Sequence, residues 1–156
     1  MTEMRYLGFF VFAIALGLSG PASGQTPGSP QAPAQAATLG PSSFLDAAQN
    51  VVNAIDRYEM ATVWDVSSPI MKSSIPKDRF VANVAQRRAM LGSIRTRDWT
   101  SIMRVPITKA GGPLPVGQYI SIRFATTGQN GKATEEVVSF SLDKDGQWRM
   151  AGYTIQ

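Results

Sequence analysis

Four arginines crowd the stretch AQRRAMLGSIRTRDW, residues 85 to 99: Arg87 and Arg88 before Gly92, Arg95 and Arg97 after it. Guanidinium groups gathered in this way suit three tasks: holding an anionic ligand, clamping carboxylates inside a fold, or meeting a polyanion. The rest of the composition narrows the chemistry. The chain contains no histidine and no cysteine, which excludes Ser-His and Cys-His pairs, thiolate catalysis, disulfides and an ordinary zinc site. Proton transfer would have to run on carboxylates, tyrosine, lysine or arginine. No cofactor and no metal is expected, and a non-enzymatic role is favoured over an enzymatic one. A net charge of +4, from 15 basic and 11 acidic residues, gives weak attraction to anionic surfaces. Nucleic acid is not expected as a partner without clustering of that charge on one face.

The elements carrying the arginines can be read from spacing. Pro76 opens a helix over Lys77 to Leu91, and Gly92 closes it where a left-handed residue is usual. On a helical wheel Phe80, Val81, Val84 and Leu91 form the buried stripe, Arg88 falls about 40° from its centre and Arg87 roughly 60° to the other side. Arg88 is thus expected to point under the helix, where an unpaired guanidinium would cost several kcal/mol. Asp98 and Glu136 are its candidate partners. Two readings follow: a clamp between helix and sheet, or a ligand site formed by Arg88, Asp98 and Glu136 at the bottom of a pocket. After Gly92 the period changes to two, which puts Arg95, Arg97 and Trp99 on one strand face. That row is expected to face outward on an edge strand; as a basic and aromatic stripe it would stack on bases or sugars. Binding of an anionic polymer would need Arg87, Arg95, Arg97 and Lys109 to converge on one surface.

Upstream, Ser43 with Asp46 three residues on resembles a capping box. Phe44, Ala48, Val51, Val52, Ile55 and Tyr58 recur at helical spacing behind it, and a short piece bearing Met60, Val63 and Trp64 must stop near Ser68, before Pro69. Downstream, strands are expected over Ile94 to Ile107, Gln118 to Thr127, Thr134 to Leu142 and Gln147 to Ile155. A three-residue loop Gln129-Asn130-Gly131 brings Ile120, Ile122, Phe124, Val138, Phe140 and Leu142 onto one face, whereas a two-residue turn would split them. The other face, with Tyr119, Ser121, Arg123, Glu135, Ser139 and Ser141, is expected to be solvated, Arg123 and Glu135 pairing diagonally. Asp143-Lys144-Asp145-Gly146 reads as a turn, since it lacks the remaining oxygens of a calcium loop. Helices first and strands after give an α+β domain, with helices packed on a curved antiparallel sheet of about four strands. Trp64 and Trp148 are expected in the core.

The front of the chain is of a different kind. Residues 1–24 carry Arg5, an apolar run from Leu7 to Leu18 and the small-residue site Ala22-Ser23-Gly24, the pattern of a secretory signal peptide. As a helix the run reaches about 18 Å, short of the roughly 30 Å of a hydrocarbon core. Cleavage is expected after Gly24, or alternatively after Ala36, and no transmembrane segment remains afterwards. Residues 25–41, uncharged and rich in proline, glycine, alanine and glutamine, read as a flexible tether, and residues 42–156 as a single domain. A periplasmic or secreted location follows.

The third helix, the MLGSIRTRDW junction, PVGQYISIRF, EEVVSFSLDKDGQWRMAGY and the end after Gly152-Tyr153 together resemble the domain of unknown function 4019 family, exported bacterial proteins, over roughly Phe44 to Gln156. The residues that carry the likeness run in order Trp64, Arg88, Gly92, Arg97, Gly117, Tyr119, Phe124, Glu135, Gly146, Trp148, Gly152 and Tyr153. Of these, Trp64, Gly92, Trp148, Gly152 and Tyr153 are expected to be structural. The long tether departs from the shorter members of the family. The resemblance implies a cone similar to nuclear transport factor 2, and it brings no activity with it. The expectation is a bacterial envelope protein acting as a binding or accessory module, its partner a protein or a second copy of itself. The alternative is a small-molecule-binding cone or a lyase- or isomerase-like enzyme with a pocket around Arg88.

Overall fold

A computed structural model describes residues 39–156. The expected signal peptide and all but the end of the expected tether lie outside the described residues. Four helices, α1 (Pro41–Asp56), α2 (Met60–Asp65), α3 (Pro69–Ser74) and α4 (Lys77–Leu91), precede four strands, β1 (Ile94–Ile107), β2 (Gly117–Gly128), β3 (Ala133–Leu142) and β4 (Trp148–Ile155). The strands form one open antiparallel sheet in the order β1-β2-β3-β4, an α+β fold. Among the described residues no helix is long and apolar enough to cross a membrane.

The helix α1 starts earlier than the capping-box reading places it. Pro41, with its fixed φ and no N–H to satisfy, takes the first helical position after Gly40, and no side chain caps the end. Ser43 lies inside the first turn, its N–H donating to the Gly40 carbonyl at 3.1 Å. Phe44, Ala48, Val52 and Ile55 are buried as their spacing requires. Tyr58 is not: it is 70% exposed, because the helix has already ended. Its N–H and that of Glu59 fold back to the Ile55 and Ala54 carbonyls, a Schellman closure that sets Tyr58 at φ 60. A further short helix, α3, follows Pro69, with the Ser68 hydroxyl accepting from the Met71 N–H at 3.3 Å. α2 has already ended at Asp65, short of Ser68, and Pro69 supplies the first residue of the next helix.

The β2–β3 register agrees with the three-residue loop. Ile120 lies opposite Phe140 and Ile122 opposite Val138, the Gly128 N–H donates to the Lys132 carbonyl, and Gly131 takes φ 77. The inner row Ile120, Ile122, Phe124, Val138 and Phe140 packs with Val52, Ile55, Phe80 and Val84 of the helices; Leu142, at the strand's end, is only half-buried. Trp64 and Trp148 are partly buried against this core, Trp64 donating to the Ile75 carbonyl at 3.0 Å and Trp148 meeting the Phe44 ring edge-on at 5.0 Å. Arg123 and Glu135 pair on the outer face as expected. That face is not uniformly solvated, however: Tyr119 is 4% and Ser141 1% exposed. The Tyr119 hydroxyl donates to the Pro115 carbonyl, so the loop between β1 and β2 covers it, an interaction that strand alternation does not encode. Asp143 to Gly146 forms the expected turn, Gly146 donating to the Asp143 carbonyl at φ 78.

One contact joins the hairpin to the helices. A Cβ on Gly128 would overlap the Leu91 carbonyl oxygen, so the end of α4 rests directly on the β2 backbone. Gln129 donates to the Ser93 carbonyl at 2.7 Å, and Asn130 donates to the free Met90 carbonyl at 3.0 Å, satisfying the last turn of α4.

Candidate functional site

The helix ends and the sheet meet at a group of four charged side chains drawn from four elements. Asp56 is the last residue of α1, Arg88 stands in the last turn of α4, Arg97 comes from β1 and Glu136 from β3. Arg97 grips both carboxylates. Its Nη1 and Nη2 donate to Asp56 Oδ2 and Oδ1 at 2.8 and 3.0 Å, and its Nε and Nη2 donate to Glu136 Oε2 and Oε1 at 2.8 and 3.2 Å. These are two fork-like, charge-assisted contacts from one guanidinium. Arg88 Nε donates to Asp56 Oδ1 at 2.9 Å, and its Nη1 to the Gly92 carbonyl at 2.5 Å.

The side chains of Glu136, Arg97 and Arg88 are 0%, 7% and 8% exposed, and Asp56, at 26%, is the part nearest solvent. Two positive and two negative groups leave the cluster neutral. Helix geometry explains the placement: a carboxylate at the last residue of α1 sits at the negative end of the helix dipole, and Arg88 and Arg97 come to that end to offset it.

The protonation states follow from the geometry. Burial works to raise the Asp56 pKa, but the hydrogen bonds and charge of Arg97, and then of Arg88, outweigh it and hold the carboxyl below its ordinary range. Burial likewise opposes charge on Arg97, yet Asp56 and Glu136 more than offset it, so this guanidinium is held protonated more firmly than usual. Tyr153, on β4, is 7% exposed. Burial first and the neighbouring Glu136 charge next push its phenol far above the tyrosine range. Its hydroxyl and that of Thr126, which lies opposite Arg97 on β2, are buried without a hydrogen-bond partner among the described residues.

Several expectations are corrected here. Arg88 does point under the helix, but it takes neither Asp98 nor Glu136; its carboxylate is Asp56, which spacing alone did not single out. Asp98 is exposed and lies opposite Ala125, in the outer row of the sheet. Glu136 joins the cluster through Arg97. The Arg97 row is the larger correction. Arg97 and Trp99 do share a face, yet Arg97 lies opposite Thr126 and Trp99 opposite Phe124, which is the inner, helix-covered face. The register then slips between Trp99 and Ser101, so that Ile102 and Arg104 face inward opposite Ile122 and Ile120. This bulge, with a second register shift between Ile94 and Thr96, breaks the alternation along β1; of the expected row Arg95 stays exposed and Arg97 alone becomes the hub of the interior. Trp99, though on that face, stays 56% exposed.

With Arg97 inside, Arg87, Arg95, Arg97 and Lys109 do not make one surface. Gly92 has φ 65 at the end of α4, a conformation that favours glycine. Gly152 meets nothing within 4 Å of an added Cβ, and no packing reason for glycine is found there. The missed residue, Asp56, carried one signal: an acid placed last in a helix is unfavourable unless cations answer it. Among the described residues no group of three or more histidine, cysteine or acidic side chains is arranged to hold a metal ion.

No curated protein and no solved structure matches the chain. Residues 47–153, which take in Asp56, Arg88, Arg97, Glu136 and Tyr153, match the family described as "Protein of unknown function (DUF4019)", and with more than half of its length so matched the chain belongs to that family.

Proposed function

We propose that this chain is an exported bacterial envelope protein whose folded domain is a non-enzymatic binding or accessory module. The observation that carries the non-enzymatic half is the answering of every ionised group in the interior cluster by another member of it. Asp56, gripped by two guanidiniums, is held ionised and makes a poor acid or base, and the adjacent Tyr153 is held protonated. An enzyme or ligand pocket built around Arg88 would need that arginine available; two of its nitrogens are already taken by Asp56 and the Gly92 carbonyl. The export half rests on the signal-like order of charge, apolar run and small residues in positions 1–24. A periplasmic or secreted location goes with it.

Expression of the full chain in a Gram-negative host, followed by fractionation and intact-mass measurement, tests the location. The expected result is protein in the periplasm or medium with the mass left after cleavage behind Gly24 or Ala36. Protein held in the cytoplasm at its full mass overturns export.

A further inference from the structure

Arg87, next in sequence to the clamped Arg88, stands beside a cleft between α4 and β4. The cleft is about 390 Å³ and is lined by Ile75, Phe80, Val84, Tyr153 and Ile155, with Asn83 and Arg87 among its polar members. Past Arg87 it adjoins a second recess, of about 460 Å³, lined also by Met90, Leu91 and Lys132, with which it shares Arg87, Ile155 and Gln156. Each volume lies in the range of roughly 300 to 1,000 Å³ usual for small-molecule sites.

The two ends of the cleft differ in chemistry. Phe80, Val84, Tyr153 and Ile155 are all core residues, and together they give an apolar wall. At the junction of the two recesses Arg87 donates from Nη1 to the Ile155 carbonyl at 2.9 Å. That bond uses one of the five N–H donors of a guanidinium and pins the group in place. Arg87 forms no ion pair among the described residues, whereas Arg57, Arg88, Arg97, Arg123 and Arg149 each hold a carboxylate. Lys132, in the second recess, is likewise without one, and no acidic side chain lines either recess. An oriented cation above an apolar wall selects a ligand with one anionic head and an apolar body.

We propose that the α4–β4 cleft binds a monomeric amphiphile with a carboxylate head, the head on Arg87 and the alkyl body along Phe80, Val84 and Ile155. Such a ligand would be one that the binding module proposed above carries or senses, so the proposal rests on that reading. Phe80 and Val84 share the buried stripe of α4 with Arg88, but the anchoring cation, Arg87, is not a member of the ion cluster.

The test uses the protein as purified from the compartment where it accumulates, titrated with octanoate, octanol and acetate by calorimetry and by amide chemical shifts. Octanoate should bind saturably and shift the signals of Phe80, Val84, Arg87 and Ile155, with octanol and acetate each at least tenfold weaker. Arg87→Gln should weaken octanoate about tenfold, the size of one charge-assisted contact. Asn83→Trp, a change at an exposed rim residue, should obstruct entry and abolish binding while thermal unfolding stays as in the wild type; Arg95→Gln, on β1, should change nothing.

Equal affinity for octanol, an unaffected Arg87→Gln variant, or shifts confined to another surface would each overturn the proposal. So would an Arg87→Gln variant that melts lower yet binds octanoate unchanged, which would make Arg87 only a clamp on β4. Absence of octanoate binding in a protein correctly exported and matured removes the cleft proposal and leaves the module reading standing.

Discussion

Arg87 and Arg88 are neighbours in sequence and opposites in circumstance. Arg88, 7% exposed, is spent on Asp56 and on the carbonyl that ends its own helix. Arg87 is exposed and holds a single backbone carbonyl across the α4–β4 cleft. About 100° of helical rotation separates them, and that rotation divides a structural charge from an available one. Composition counts both as basic residues; only the face on which each lands tells them apart. The comparison also ranks the arginines of the cluster. Arg97 touches both carboxylates, one of them fully buried, whereas Arg88 shares Asp56 with Arg97.

The largest effect should therefore come from Arg97→Met. It strands Glu136, with 0% exposure, in the interior, and removal of one partner of a buried pair costs about 3 to 5 kcal/mol. Urea unfolding should show this loss, and adding Glu136→Gln should restore part of it. A loss under about 1 kcal/mol would mean the cluster contributes little beyond what a packed apolar side chain supplies.

Next in size, Arg88→Met should cost about 2 kcal/mol, since Asp56 keeps Arg97 but loses one charged contact. Arg87→Gln should stay within about 0.5 kcal/mol, as exposed positions usually do. If the two variants melt alike, the contrast between the neighbouring arginines fails.

The smallest effect is in pH. The folded Asp56 pKa lies below its unfolded value of about 3.9, so between the two values the unfolded chain binds more protons than the folded one. Its stabilising contribution is complete above the unfolded value and is lost as pH falls through the folded one. Wild-type stability should therefore drop below about pH 4, and Asp56→Asn should show a shallower drop, read from unfolding midpoints across that window. Identical acid profiles would show that Asp56 titrates alike in both states.

Much of the fold was legible because local rules agreed with one another. The bounds of α4, its closing glycine and the Gln129-Asn130-Gly131 loop each follow from one turn residue beside an unambiguous apolar period. Errors arose where a single local signal had competitors. Ser43 had the chemistry of a cap, but Pro41 two residues earlier was a better first helical residue. Tyr58 fitted the apolar stripe, but the helix ended before it in a left-handed turn. The candidate site was legible by half. Spacing singles out Arg88 and Glu136, but it points to Asp98 rather than Asp56 and turns Arg97 toward solvent. A bulge in β1 reverses which residues face the core, and nothing in IRTRDWTSIMRV marks the slip, because polar and apolar residues occupy both parities on either side of it.

By itself the sequence determined the excluded chemistry, the order of helices and strands, the β2–β3 register and the inward direction of Arg88, since each depends on residue type or on spacing within one element. Which carboxylate meets which arginine was decided only by the tertiary structure. Asp56, Arg88, Arg97 and Glu136 come from four elements, separated by 32 to 41 residues in the pairs that bond. Their meeting depends on where the end of α1 falls over the sheet and on a bulge that turns Arg97 inward. Those are properties of packing between elements, which the period of a single helix or strand does not contain.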